Sequence, residues 1–388
     1  MATTATSAEF SRIINTTLRN YLRIEEDGVI RRRLLLAMLR SKGRILYKQS
    51  GDGFQWQVRF RRAKMQVNNG MQVLSFQAEN RWQKTFLDYQ GYAITDAMPK
   101  REQLKNQSAA ALIQVYKRLL PLLMEDLEDQ FSEEIYVDAN AAGNTYRMSG
   151  LETMFETSGT INIGTGAQRS RNVADPTCSP SSTYANLSTA LGAFGGAWGE
   201  GVLQSDIAHT WPSGRGDPEY DFWSPVIVNY TSSAFGNTVW WSFSSAVGNA
   251  KTATRFGIRK MKRNSKDTIP LVLMDDMLYN EYLESLDSQQ RIIVDQQDTR
   301  AKHFGFRDSI YQDGAEITSE YGIPPGVGYG IDLESCQLLS MQGQMFEGEG
   351  PEYDMSTRSS RVAVDFLGQF KFKSPRGFFK LMDGTALA

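Results

Sequence analysis

The stretch that decides the fold is residues 305–332, GFRDSIYQDGAEITSEYGIPPGVGYGID. It holds five glycines besides Gly305, the adjacent prolines Pro324 and Pro325, and a terminal GVGYG with the look of a phosphate-cradling loop. A dinucleotide fingerprint places its glycines between a strand and a helix, so that the phosphates rest on the helix N-terminus. Here Gly326, Gly328 and Gly330 follow the prolines and lead into IDLESCQLL, whose pattern is that of a strand. The helix is missing, and the nucleotide reading goes with it. The glycines and prolines read instead as turns between strands.

Upstream of this stretch, IPLVLM at 269–274 is a compact apolar run of the kind a buried strand carries, and Asp275 or Asp276 then caps the helix MLYNEYLESL. Two adjacent carboxylates could also serve acid–base or metal chemistry, but their place just before an apolar helical repeat favours capping. Downstream, SCQLLSMQGQMF and VAVDFLGQFKFKSPRGFFKLMDG alternate and read as paired strands that close the fold.

Residues 139–250 are rich in Gly, Ser, Thr, Asn and Trp and read as loops with short strands. A helix is expected near 233–262, with a basic end at Arg255, Arg259, Lys260, Lys262 and Arg263. Trp198, Trp211, Trp223, Trp240 and Trp241 could stack on sugars or bases, although packing in a core or interface is the commoner fate of tryptophan. Earlier in the chain, Pro99 opens a helix over 100–134. It carries one apolar stripe of Leu112, Tyr116, Leu119, Leu123, Leu127 and Phe131 and is a helix of roughly 45 Å, with a kink expected at Pro121.

Before that helix, Phe54 to Arg61 alternates strictly, Phe-Gln-Trp-Gln-Val-Arg-Phe-Arg, which predicts a strand with one apolar and one polar face. With VNNGM at 67–71 and strand-like text at 72–80 and 84–95 it makes a long antiparallel excursion, too thin to be a domain. Residues 7–42 mix apolar groups with arginines and lack the surface for a core of their own; they should lie on something.

The bulk numbers narrow the function. At 388 residues and 41% apolar content the chain has ample core, and a net charge of −2 excludes a uniformly basic nucleic-acid binder. The charge is polarised, however: residues 1–70 carry a net +9, leaving −11 for the remainder. Such asymmetry points to one arm that meets a polyanion or an acidic partner, the bland alternative being a solvated basic face. RRRLLLAMLR at 31–40 and RFRRAK at 59–64 could contact phosphate through charge alone.

Cys178 and Cys336 are the only cysteines and His209 and His303 the only histidines, so neither a disulfide framework nor closely spaced zinc ligands are on offer. No Gly-x-Ser-x-Gly elbow occurs, MATTATSAEF is not a signal peptide, and LLLAML is far too short to span a bilayer. No cofactor, metal or catalytic residue is expected, and no membrane partner. A basic arm, a strand excursion, a spine helix and a strand-rich body without a catalytic constellation is the profile of something that assembles.

That order of elements resembles the major capsid proteins of tailed bacteriophages, which share the Hong Kong 97-type fold. The likeness is most specific over 269–346, where Gly305, Phe306, Gly314, Ile317, Glu320, Pro325, Gly326, Tyr329 and Asp332 fill the family's pattern of Gly turn, acidic position, Pro-Gly turn, aromatic and final strand. TYANLSTALGAFGGAW at 183–198 resembles a segment common before that region.

The resemblance implies an α+β fold with an N-terminal arm over 1–44, an extended β-loop over 45–97, a peripheral domain of 98–190 and 336–388 carrying the spine helix, and an axial α/β domain over 191–335. It implies a structural subunit that assembles into pentamers and hexamers of an icosahedral shell around double-stranded DNA, located in the virion after synthesis in the bacterial cytoplasm. Phe54, Trp56, Val58, Arg59, Phe60 and Arg61 are the expected inter-subunit contacts of the extended loop. Arg31, Arg32, Arg33 and Arg40 are the expected genome-facing or neighbour-facing cations, and Gly314, Pro325, Gly326 and Tyr329 the expected turn residues of the axial domain.

A separate scaffolding protein, or none, is implied, since no long helical amino-terminal segment precedes the arm; portal and decoration proteins are further candidate partners. The isopeptide crosslink of some relatives needs a lysine, an asparagine and an acid; Lys64 lies in the corresponding excursion, but the other two are not identifiable, and crosslinking is not expected. The competing readings are a tail-tube or other virion protein, whose chains usually lack a helix like 100–134, and a carbohydrate hydrolase using the tryptophans and paired acids.

Overall fold

The computed structural model describes residues 34–60, 70, 76, 78, 80–101, 122–155 (except 124, 128 and 132), 177–194 (except 179 and 192), 222–262, 270–287 and 310–384. Helix α1 (Leu34–Ser41) buries Leu34, Leu35, Leu36, Met38 and Leu39 in the main core, so this part of the arm does lie on the body. It stops where Gly43 takes φ +62°: Arg44 N–H donates to the Leu39 carbonyl at 2.9 Å and Gly43 N–H to that of Arg40 at 3.1 Å, a Schellman closure.

Strands β1 (Ile45–Gln49), β2 (Phe54–Arg59), β3 (Trp82–Leu87) and β4 (Gln90–Pro99) follow. The stretch expected as one strand over 84–95 is two, broken at Asp88–Tyr89. Lys100 and Arg101 are helical, as are the described residues of 122–134, where Leu123, Leu127 and Phe131 are buried as the stripe predicts. Leu112, Tyr116, Leu119 and the expected kink at Pro121 lie outside the described residues.

Next come the short strands β5 (Thr177–Cys178), β6 (Thr183–Tyr184), β7 (Leu187–Ser188) and β8 (Val226–Asn229), then helix α2 (Ala250–Lys262). The helix expected from 233 thus begins later. Residues 230–249 are a loop with a single 3-10 turn at Ser233–Phe235, knotted by the buried Asn249. Its amide donates to the carbonyls of Tyr230 at 2.7 Å, Ser232 at 3.3 Å and Asn237 at 2.5 Å.

After α2 come β9 (Pro270–Met274), α3 (Asp276–Asp287), β10 (Ile310–Gln312), β11 (Ala315–Ser319), β12 (Gly328–Asp332), β13 (Cys336–Asp354), β14 (Ser359–Phe372) and β15 (Phe379–Met382). Two principal sheets result. One has the order β10-β11-β9-β12-β15-β8-β5, with β9 parallel to β11 and antiparallel to β12; the other has the order β1-β13-β14-β4. The expected pairing of the two late alternating segments is the antiparallel β13–β14 ladder. Strand β15 returns to lie between β12 and β8, so the seven-stranded sheet takes residues from both sides of the boundary expected at 335/336.

The apolar run of β9 is buried at every position because it is paired on both sides and each face meets a core cluster, Val272 and Met274 in one and Leu271 and Leu273 in the other, the usual fate of a continuous hydrophobic strand. One cluster beneath α2 and α3 joins Ile258, Met261, Leu278 and Tyr282 to Val272, Met274, Phe379 and Leu381. A larger one unites α1, Phe131, the residues about 148–155, and β13 and β14.

Candidate functional site

The stretch 310–332 is built by two turns whose chemistry dictates their geometry. Asp313 and Gly314, at φ +50° and +76°, link β10 to β11 in a two-residue hairpin with Gln312 paired to Ala315, the type I′ turn that Asp-Gly favours. The Lys262 ammonium donates to the Asp313 carbonyl, and Arg255 Nε meets Asp313 Oδ2 at 3.0 Å, tying the hairpin tip to α2.

Pro324 to Val327 forms the second turn. Val327 N–H donates to the Pro324 carbonyl at 3.2 Å, Pro325 holds the second position and Gly326 the third at φ +73°, as a type II turn requires. Asp275 stands at the start of α3, its carbonyl accepting from Tyr279 N–H at 2.8 Å; its carboxylate, however, crosses to Gly326 N–H at 3.3 Å and not to its own helix. The expected cap is therefore a pin between helix and turn. Asp276 lies exposed in the first helical turn.

GVGYG is no loop. Gly328 and Gly330 belong to β12, a buried strand, and a Cβ on Gly330 would lie 1.9 Å from Phe379 Cε1. A Cβ on Gly257 of α2 would meet the same ring at 2.6 Å. These glycines admit an aromatic ring between helix and sheet, which is why the sequence spends them there.

Tyr329, expected in a turn, is instead mid-strand and buried. Its ring stacks on Tyr136 at 5.6 Å and its hydroxyl donates to Glu152 Oε2 at 2.5 Å. Lys380, buried on β15, forms an ion pair with the other oxygen of Glu152. Buried Glu320 accepts from the Tyr136 hydroxyl at 3.1 Å. Burial pushes the Asp138 carboxyl up; Glu152 adds to the shift and Lys380 counters it. Sequence spacing gives no sign of this network, because its members lie up to 228 residues apart. A second set also escaped it: Glu134, at the end of the helical stretch, accepts from Tyr92 of β4 at 2.9 Å and pairs with Arg147.

The excursion is a two-stranded ribbon. Strand β2 pairs with β3 from Phe54↔Leu87 to Arg59↔Trp82. The apolar face expected to meet a neighbour is turned onto this chain's own core. Phe54 packs on Tyr89 at 4.5 Å, Phe60 lies 5.8 Å from Phe222 and 6.1 Å from Phe194, Lys371 Nζ stands 4.7 Å over the Trp56 ring, and Val58 joins the same cluster. What the ribbon presents outward is Gln55, Gln57 and Arg59, with Trp82 more than half exposed.

Arg40 lies exposed on the last turn of α1, while Arg31, Arg32, Arg33, Arg61 and Lys64 lie outside the described residues. Trp223 and Trp240 are buried, the latter donating from Nε1 to the Leu278 carbonyl at 3.1 Å; Trp198 and Trp211 lie outside the described residues. Among the described residues no group of His, Cys, Asp and Glu could hold a metal ion, and no helix is long and apolar enough to cross a membrane.

No family model matches the chain, nor does any curated protein. Solved structures do. A chain of the cyanophage A-1(L) capsid asymmetric unit is 12% identical, with 96% of this chain and 99% of that one covered at a TM-score of 0.55. A chain of the capsid of a native GTA particle is 10% identical, with 99% of each chain covered at a TM-score of 0.52. The chain has the α+β, Hong Kong 97-type fold of those capsid chains.

Proposed function

We propose that this protein is the major capsid protein of a tailed bacteriophage, a structural subunit that assembles into pentamers and hexamers of an icosahedral shell. The observation that carries the reading is the correspondence of fold with a capsid chain over nearly the full length of both. Among the described residues, the pairing of the 19-residue strand β13 with β1 ends at Met341, while its ladder with β14 runs on to Asp354. An edge of this kind invites pairing with other chains unless a partner covers it.

In this reading the division into arm (1–44), extended loop (45–97), peripheral domain (98–190 and 336–388) and axial domain (191–335) is kept, with the axial sheet completed by β15. The ribbon meets a neighbouring copy through Arg59, its outward glutamines and Arg61, while Phe54, Trp56, Val58 and Phe60 hold it to its own body. Gly314, Pro325 and Gly326 fix the loops of the axial sheet. Arg31, Arg32, Arg33 and Arg40 face the packaged DNA or an acidic patch of a neighbour, by charge and without reading sequence. Scaffolding, portal and decoration proteins are the natural further partners, and the virion the place of action.

The test is electron microscopy of the protein expressed alone and fractionated by size. Closed shells or five- and six-membered rings are expected. A monomer or dimer that stays so at high concentration, with or without a scaffolding protein, would overturn the reading.

A further inference from the structure

We infer that the root of the ribbon carries a binding site for a phosphate group, formed by Lys371, Lys373 and Arg44 together with the indole N–H of Trp56. The site goes beyond the shell-forming reading and does not depend on it.

The register of the four-stranded sheet brings the cations together. Ile45 of β1 pairs with Leu338 of β13, and Leu338 with Phe370 of β14; all three side chains are buried in the main core. One residue away along each strand stand Arg44, Gln337 and Lys371, with Gln337 directly opposite Lys371, and alternation turns them to the other face. Lys373, two residues beyond Lys371, is exposed, and its N–H donates to the Ser335 carbonyl at 2.8 Å, so the ladder continues to it. The ribbon comes down on this face: Lys371 Nζ stands 4.7 Å over the ring of Trp56.

These groups are donors without an acceptor. Lys371 is half-buried, and burial together with the charge of Lys373 pulls its pKa down. An ammonium withdrawn from water ordinarily faces a carboxylate, yet among the described residues no carboxylate forms an ion pair with Lys371, Lys373 or Arg44. The acids of the adjoining turn do not serve. Asp332 accepts from Ser335 Oγ at 2.6 Å and from Glu334 N–H at 3.1 Å, and Glu334 is exposed and makes no ion pair. Trp56 offers Lys371 only its π-face, a weaker partner than an anion. Its own Nε1 is buried and has no hydrogen-bond partner, although buried donors are satisfied in the great majority of cases.

The partner that completes this set is an anion with several acceptor oxygens. A carboxylate brings one charge and two oxygens. A phosphate group brings up to about two charges and three acceptor oxygens, which suits three cations and an indole N–H better. Lys371 covers the ring on a flexible four-carbon stem and swings with the anion it binds. The same group occurs free in solution and, with one charge fewer, along a nucleic-acid backbone.

The probe is inorganic phosphate, and the readout is the melting temperature of the full-length chain against sodium chloride of equal ionic strength. Phosphate stabilises folded proteins in general through its exclusion from their surface, so the measured quantity is the difference between the parent and Lys371→Met. The parent should gain stability with phosphate concentration as a bound ligand requires, and Lys371→Met should weaken the apparent affinity by about tenfold or more. Lys371→Arg keeps the charge and should keep most of the gain. Trp56→Phe retains a ring under the ammonium, deletes the N–H and should weaken phosphate by about fivefold. Should Lys371→Met melt well below the parent in chloride alone, Lys373→Met at the exposed position takes its place, with a loss of about fivefold expected. Labelled duplex DNA of mixed sequence separates the two sources. A duplex displaced by phosphate and lost in the lysine variant identifies the backbone; a duplex bound alike by parent and variant identifies free phosphate. A phosphate gain in a lysine variant or in Trp56→Phe equal to that of the parent would overturn the site and leave the shell reading standing.

Discussion

The two main sheets of this chain are built by opposite means. The seven-stranded sheet collects strands of two to five residues from positions as distant as Thr177 and Met382. The four-stranded sheet centres on β13 and β14, strands of 19 and 14 residues joined by the turn at 355–358. Short strands from remote parts of a chain have few ladder bonds each, and what fixes their register is the fit of side chains between layers. Long strands that follow one another are held by the ladder itself, which accepts any residue of suitable polarity. The first sheet should therefore fail at single atoms, and the second should tolerate them.

The sharpest way to break that contrast is at Gly330. A methyl group there would overlap Phe379, which cannot retreat because Gly257 of α2 presses on its other edge. Gly330→Ala is expected to cost about 3 kcal/mol, the upper end for overpacking a core, and Gly330→Leu to prevent folding. Urea unfolding measures the first and soluble yield the second. Combining Gly330→Ala with Phe379→Leu should recover part of the loss; a Gly330→Ala protein as stable as its parent would refute the packing account.

Next in size is Lys380. Its ammonium and the Glu152 carboxylate are both largely buried, with side-chain exposures of 7% and 18%. Lys380→Met takes the cation from the Glu152 carboxylate while the Tyr329 hydroxyl still donates to it, and should cost about 3–5 kcal/mol, the range for removing one member of a buried pair. Adding Glu152→Gln removes the uncompensated charge, keeps an acceptor for Tyr329 and should restore most of the stability. Equal unfolding midpoints for the single and double variants would show that the pair is not coupled.

Turn chemistry was the legible part of this molecule. Asp313-Gly314 and Pro325-Gly326 name their turns in the sequence because a positive φ at a fixed offset admits few residues, and those turns gave the fold. The spine stripe was legible through Leu123, Leu127 and Phe131, since period 3.6 is a local property. Two things were not. The apolar face of Phe54, Trp56, Val58 and Phe60 could be seen, but periodicity says that a face is buried and not by what, and this chain's own Tyr89, Phe222 and Lys371 pack on it. Tyr329 was singled out but placed in a turn, because its partners Tyr136, Glu152 and Lys380 are joined to it only by the folded topology.

Two carboxylates, one in each construction, should respond to pH with opposite sign. Burial pushes the Asp332 carboxyl of β12 upward, against hydrogen bonds from Ser335 Oγ and Glu334 N–H that pull it down. The folded state then holds a proton that the unfolded chain has lost, so Asp332 makes stability fall as pH rises from about 3.9 through its raised folded value. Asp354, at the exposed end of β13, accepts from Ser356 N–H at 2.8 Å, Ser356 Oγ at 2.7 Å and Thr357 Oγ1 at 3.0 Å, and these bonds hold its pKa down to about 2. Its contribution is present above about pH 3.9 and is lost as the pH falls toward 2. Urea midpoints across pH 2–7 should show Asp332→Asn removing a decline toward neutrality and Asp354→Asn removing a smaller decline toward acid. Two variants with the same slope as the parent would sever both carboxylates from the stability of their sheets.

The smallest effect is expected where the ladder does the holding. Ala363 of β14 is half-buried, opposite Thr95 on one side and Glu349 on the other, while its neighbours Val362 and Val364 point into the core. Ala363→Thr adds two heavy atoms, one more than Gly330→Ala, and places a β-branched side chain beside Thr95, a pairing that antiparallel strands favour. The change should move stability by no more than about 0.5 kcal/mol, in either direction. Were it to cost as much as Gly330→Ala, the four-stranded sheet would be as tightly fitted as the seven-stranded one. The length of β13 and β14 would then have to be explained by something other than a ladder that tolerates change.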